Sequence, residues 1–312
     1  MSTHQTPDLE IHGLLGSGSF GYVFEAYDRN RQRKVALKRT TKAGEFVSRE
    51  YEILELLKGC NNCIQVLDIF YTKSDDEKLA QNLVFEFCSN NLESMITVCK
   101  TKKEHFEISK VVKYTKQILT GLKEMHERDI VHRDLKPENV LVTDKEEIKI
   151  CDFGSSKILD LEGKNTPYIV SRYYRAPELI LGVSNYSEKI DIWATGCIIA
   201  ELLTLKPLFP GKTEGSQFLE QIAILGTPTK SQYERMASNI PKTTLKMLNQ
   251  LEHFEAKDLS DLFPKFYKKR EIKKAVELIR SMLEWDPQER VTAEEALQHP
   301  FLQLEEDSDD EE

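Results

Sequence analysis

The hydrophobic pattern of this chain changes period once, and that change limits the folds open to it. From Leu9 to Lys38 apolar and polar residues alternate around a glycine cluster, the signature of three short antiparallel strands. Glu45 to Lys58 then places Phe46, Ile53, Leu54 and Leu57 at helical spacing, so one helix is expected. Ile64–Phe70 and Asn82–Phe87 read as two more strands. Beyond Asn91 helical spacing takes over, with amphipathic stretches at Ile108–His126, Ser187–Leu205, Ser216–Leu225, Ile272–Trp285 and Thr292–His299. The last opens on Thr292-x-x-Glu295, a capping-box pattern. The expected class is α+β with two lobes. A small antiparallel β-rich lobe with one helix (9–87) joins, near Glu86–Ser89, a larger and mainly helical lobe (88–302). Residues 1–8 form an N-terminal tail and 303–312 an acidic, disordered one.

Seven of the nine net negative charges lie in the terminal EEDSDDEE, which leaves −2 for the rest of the 312 residues. So neutral a body offers no nucleic-acid surface. The longest apolar run, Ala194 to Leu203, is too short to span a bilayer and carries Glu201. No basic-then-apolar leader opens the chain, which points to an intracellular protein of the cytoplasm or nucleus. The six cysteines are then expected as reduced thiols. Cys60-x-x-Cys63 could suggest metal or redox work, but no second such pair and no adjacent His pair follows, so it is read as structural.

Gly16-Ser17-Gly18-Ser19-Phe20-Gly21-Tyr22-Val23 fits G-x-G-x-x-G-x-V, whose glycines let backbone N–H groups approach phosphates. A dinucleotide-binding loop shares most of this string but requires a helix directly after it, whereas Tyr22–Tyr27 continues as strand. Seventeen residues after Gly21, Val35-Ala36-Leu37-Lys38 puts an ammonium on a strand beside the loop, where it can hold phosphate. Glu50, on the expected helix, can keep that partly buried lysine charged and oriented.

His132-Arg133-Asp134-Leu-Lys136-Pro-Glu-Asn139 is the most specific string in the chain. Asp134 can accept a hydroxyl proton, Lys136 can neutralise a migrating phosphoryl group, and Asn139 can offer a carbonyl oxygen to a metal. Asp152-Phe153-Gly154 adds a carboxylate. Few and hard oxygen ligands suit Mg²⁺, which takes the rest from phosphate and water. Phosphoryl transfer mainly needs positioning and charge neutralisation, and these residues supply both.

Carried by these four motifs, the sequence from about residue 9 to 302 resembles a eukaryotic protein kinase. The resemblance implies ATP and Mg²⁺ as cofactors and protein serines or threonines as acceptors. It also implies that Leu15, Val23, Ala36 and Leu141 sandwich adenine, while Glu86 and Cys88 hydrogen-bond it through backbone groups. Phe85 would be the gatekeeper, and Cys151 would line the site. Ala176-Pro-Glu178 would close the activation segment with Arg290 as ion-pair partner, and Asp191 would brace the catalytic loop. A pseudokinase scaffold on the same fold usually lacks Lys38, Asp134 or Asp152, and all three are present.

Ser171-Arg-Tyr-Tyr-Arg175-Ala-Pro-Glu, Leu208-Phe-Pro-Gly211 and Leu225-Gly-Thr-Pro228 resemble the CMGC kinases. The short Lys38-to-Glu50 interval, Phe46, Arg49 and Asp152-Phe-Gly-Ser-Ser-Lys157 are similar to the glycogen synthase kinase type. On that resemblance Arg49, Arg133 and Lys157 form a phosphate pocket for substrates primed four residues C-terminal to the target, and Tyr168 is the activation-loop phosphosite. Thr166-Pro-Tyr168 instead has the T-x-Y form of a mitogen-activated kinase, which leaves dual phosphorylation as the alternative. Ser238–Leu262 does not match the scaffold-binding region of the glycogen synthase type, so scaffold partners stay unassigned. Ser308, followed by Asp309-Asp-Glu-Glu312, resembles an acidic-directed kinase site.

Overall fold

A computed structural model describes residues 7–18, 21–41, 48–73, 79–159, 172–236 and 252–304. The acidic tail from Glu305, the N-terminal residues before Pro7, and Ser19, Phe20, Phe46, Thr166, Tyr168 and Ser308 lie outside them.

The small lobe is built from β1 (Leu9–Gly18), β2 (Gly21–Asp28), β3 (Arg33–Thr41), β4 (Val66–Lys73) and β5 (Leu79–Glu86). They pair antiparallel in the order β1-β2-β3-β5-β4. Alternation along β3 sends Val35 and Leu37 to one face, where they pack with Ala26 and Val84 in a small core of their own. The opposite face receives α1 (Arg49–Leu56). Its described part begins four residues later than the spacing predicted and ends two earlier. Ser48 sets the start, because its Oγ accepts the Tyr51 N–H at 3.3 Å.

The large lobe contains α2 (Leu92–Lys102), α3 (Ile108–His126), α4 (Pro177–Ile180), α5 (Lys189–Thr204), α6 (Glu214–Leu225), α7 (Lys230–Met236), α8 (Lys269–Met282) and α9 (Ala293–Leu297). Short strands β6 (Asn90–Asn91), β8 (Val140–Val142) and β9 (Ile148–Ile150) form one sheet, and β7 (Ile130–Val131) pairs β10 (Lys157–Ile158) in another. α3 buries Val111, Thr115, Ile118, Leu122 and Met125, the stripe its spacing predicted. α5 departs from expectation. Every residue from Ile190 to Leu203 is buried, so this is a central helix covered on all sides rather than an amphipathic one. Trp193 sits at its heart against Phe209 and Trp285, with the Arg290 guanidinium 5.1 Å above the ring.

The lobes share a backbone clasp. Ile64 N–H donates to the Ile150 carbonyl and Ile150 N–H donates to the Asn62 carbonyl, both at 2.8 Å. The loop after α1 is thereby stitched to the strand that leads into Cys151 and Asp152. Cys60 and Cys63 lie in that loop as buried free thiols, as the cysteine pattern suggested. No helix among the described residues is long and apolar enough to cross a membrane.

Candidate active site

Strand β3 delivers Lys38 to the cleft, where its Nζ donates to Glu50 Oε1 of α1 at 2.6 Å and to Asp152 Oδ1 at 2.9 Å. The three groups come from β3, α1 and the segment after β9, so one ammonium gathers both lobes. Burial by itself would lower the lysine pKa; the two carboxylates outweigh it and raise the pKa above the ordinary value. Burial likewise disfavours a charged Asp152, but Lys38 holds its carboxyl below the usual range.

The catalytic-loop string lies between β7 and β8. Lys136 Nζ donates to Asp134 Oδ2 at 2.8 Å, and the Asn139 amide donates to the Asp134 carbonyl at 2.8 Å and to Oδ2 at 3.3 Å. Burial lifts the Asp134 carboxyl above its ordinary pKa despite the nearby Lys136, which makes it a better proton acceptor than an exposed aspartate. Asn139 spends its N–H groups on Asp134, which leaves its carbonyl oxygen as the acceptor for a cation.

Two backbone turns at this site are held in the left-handed region, at Arg133 (φ 72°) and Asp152 (φ 62°). Non-glycine residues there cost roughly 1–3 kcal/mol unless the surroundings impose the conformation. Asp191 of α5 imposes the first: Oδ2 accepts the His132 N–H at 2.8 Å and Oδ1 accepts the Arg133 N–H at 2.9 Å. Its carboxyl is wholly buried, which opposes the charge, yet His126 and the His132 N–H keep its pKa low. Asp191 therefore braces the loop as the resemblance implied. At Asp152 the His132 imidazole packs against Phe153 (5.4 Å between centroids) and its Nε2 lies 2.8 Å from the Cys151 carbonyl.

The residues expected to face a nucleotide are brought together by register. Val23 pairs with both Gly16 and Lys38, and Ala36 pairs with Phe85. Leu141 and Lys149 are partners across β8 and β9, one residue from Ile150. Leu15 is half exposed, an apolar surface at the cleft mouth. Ser17 and Gly18 end β1, and Gly21 opens β2 with φ 130°, where a Cβ would stand 2.1 Å from the Arg39 carbonyl oxygen. Glu86 lies opposite Val35 of β3, its N–H donates to Gln65 O at 3.4 Å and its carboxylate pairs with Lys149; Cys88 is half-buried. Hard oxygens on Asp152 and Asn139 beside a fixed cation fit a nucleoside triphosphate with a divalent ion. Among the described residues no three His, Cys, Asp or Glu side chains are grouped as a metal site.

Of the expected phosphate pocket, Arg49 opens α1 at the surface beside Glu50, while Lys157 of β10 pairs across to Val131, two residues before Arg133. Arg133 Nη1 donates to the Tyr186 hydroxyl at 2.9 Å, and Lys157 is buried. Tyr186 was not foreseen, and neither was the buried pair in which the Tyr174 hydroxyl donates to Glu201 Oε2 at 2.7 Å. Both contacts join segments distant in the chain, and no linear pattern marks them.

The family model described as protein kinase domain matches residues 9–302. This chain belongs to the protein kinase family. Among known proteins, the kinase is 40% identical over 296 residues to the probable serine/threonine-protein kinase glkA of Dictyostelium discoideum, covering 94% of this chain and 58% of that one. It is 37% identical over 291 residues to protein kinase gsk3 of Schizosaccharomyces pombe (93% and 72%), and 38% identical over 293 residues to mitogen-activated protein kinase mpkC of Aspergillus clavatus (92% and 72%). The kinase is thus a serine/threonine protein kinase that uses ATP and acts on protein substrates. Its relatives agree with the CMGC resemblance and include the glycogen synthase type.

Proposed function

We propose that this kinase, with ATP and Mg²⁺, phosphorylates serines and threonines in the manner of the glycogen synthase kinase type, and prefers substrates that already carry a phosphate four residues C-terminal to the target. The observation that supports this is the closed Lys38–Glu50 ion pair (2.6 Å) across only twelve residues. Arg49 precedes this Glu50 as the first residue of α1. On the family resemblance Arg49, Arg133 and Lys157 would share one pocket, where a dianionic phosphate could join them through charge-assisted hydrogen bonds.

In the reaction Lys38 and the glycine loop orient the phosphates. Asp134 accepts the substrate hydroxyl proton at its carboxylate, and Lys136 offsets the charge that builds up beside it. Bound Mg²⁺, held by Asp152 and Asn139, would supply charge neutralisation on the phosphate oxygens. Phosphorylated Tyr168 would pair with Arg172 and Arg175 and order the substrate-side loop.

The test compares matched peptides with and without phosphoserine at the fourth position after the target, using wild type and Arg49→Ala. A charged hydrogen bond is worth roughly 1.5–3 kcal/mol, so turnover of the primed peptide should fall on the order of ten- to a hundredfold while the unprimed peptide changes little. Equal losses on both would end the priming proposal and leave the kinase assignment standing. A second reading, activation by dual phosphorylation of Thr166 and Tyr168, is favoured by the T-x-Y string and by the mitogen-activated relative. Mass mapping of those two residues in active protein decides between the readings.

A further inference from the structure

Six cations crowd the entry to α8: Lys265, Lys268, Lys269, Arg270, Lys273 and Lys274. All are exposed except half-buried Lys274. Between residues 265 and 274 only Glu271 opposes them, and its Oε2 already accepts the Lys268 backbone N–H at 3.2 Å. Among the described residues none of the six forms an ion pair. Three of them stand at the positive end of the helix dipole, which adds repulsion of the same sign.

The root of the most acidic segment in the chain lies beside this helix. The 3₁₀ turn Pro300–Gln303 packs on α8, and the imidazole of His299, which caps that turn, lies within the field of both Glu277 and Lys274. Lys268 is six residues from Lys274, about 9 Å along the axis. The eight residues from Glu305 to Glu312 can reach about 26 Å when extended, so their seven carboxylates can cover the whole patch. A tether this short holds them at an effective concentration in the millimolar range.

We propose that residues 305–312 dock as an intramolecular anionic strap on the basic N-terminal half of α8. The near match of seven carboxylates to six cations, and the attachment point beside Lys274, select this occupant over an anionic membrane or an acidic partner protein. The proposal is independent of the glycogen synthase reading, since it uses no residue of the cleft.

The test is carbodiimide coupling of the full-length chain, followed by mass mapping. Couplings from Glu305–Glu312 should fall on Lys268, Lys269, Lys273 and Lys274 at least tenfold more often than on other exposed lysines such as Lys230. They should drop several-fold in 0.5 M NaCl, where the screening length is about 4 Å. A full-length chain with all seven tail carboxylates changed to their amides should bind phosphatidylserine vesicles at least tenfold more tightly than wild type, because its patch is uncovered. Three results would overturn the strap: couplings spread evenly over the lysines, couplings only between copies in dilute protein, or equal vesicle binding by wild type and the tail variant. Equal and tight binding by both would identify the patch as a membrane surface.

Discussion

Glu178 and Arg290, 112 residues apart, meet in a buried two-pronged ion pair, with Nη1 to Oε1 at 2.8 Å and Nη2 to Oε2 at 3.0 Å. Arg290 also donates to the carbonyls of Glu284 and Lys189, so one side chain ties the end of the activation segment to α5 and to the loop after α8. Removing one partner of such a pair strands the other charge without water. Arg290→Ala should cost about 3–5 kcal/mol, read as a lower urea midpoint, whereas the double change Glu178→Gln with Arg290→Met should cost less. A single variant no worse than the double would show that the pair is not what holds this junction.

Asp134→Asn and Lys38→Met should each reduce turnover by orders of magnitude with the circular dichroism spectrum intact. The first removes proton acceptance; the second removes the cation shared by Glu50 and Asp152. Steady-state assays settle it: near-wild-type turnover in either variant would sink the mechanism.

Gly21→Ala should separate β2 from β3 at their glycine-loop end, since the added methyl would meet the Arg39 carbonyl at 2.1 Å in a backbone conformation that disfavours side chains. A loss of roughly 1–3 kcal/mol is expected, together with weaker ATP binding in calorimetric titration. Gly16→Ala, with open space around its Cβ position, is the control for stability and should keep the wild-type melting temperature.

Stability should fall with rising pH because of Glu201. Burial pushes its carboxyl up to about 7, with the Tyr174 hydroxyl pulling in the other direction. Its ordinary value is 4.5. Between these two values the unfolded chain has released the proton that the folded chain still holds, so this group's contribution to stability is complete below the lower value, lost through the window and level above it. The loss is on the order of 3 kcal/mol at most. Glu201→Gln cannot ionise, so urea unfolding at pH 5, 6, 7 and 8 should show the variant gaining on wild type as pH rises. Parallel curves would refute the assignment.

The sequence was readable where function and chain order coincide. His132 to Asn139 places a base, a cation and a metal ligand within eight residues, so the string reveals the chemistry without a fold. The existence of the five small-lobe strands was equally plain, because alternation is local; the pairing of β3 with β5 was not, because it is not local. Burial of α5 on every side was hidden because its surroundings are supplied by Phe209, Trp285 and α8, which lie later in the chain. The start of α1 at Arg49 depended on the Ser48 cap, which hydrophobic spacing does not register. Tyr186 and the Tyr174–Glu201 pair stayed invisible for a related reason: single polar residues acquire a role only when a distant partner arrives.

The paired hydrogen bonds between Asn62, Ile64 and Ile150 give the two lobes a fulcrum. Ile150 is only two residues from Asp152, so the clasp ties the loop after α1 to the side of the cleft that carries that carboxylate. One static clasp thus joins the segment that follows the Glu50 helix to the strand that carries the chain toward Asp152.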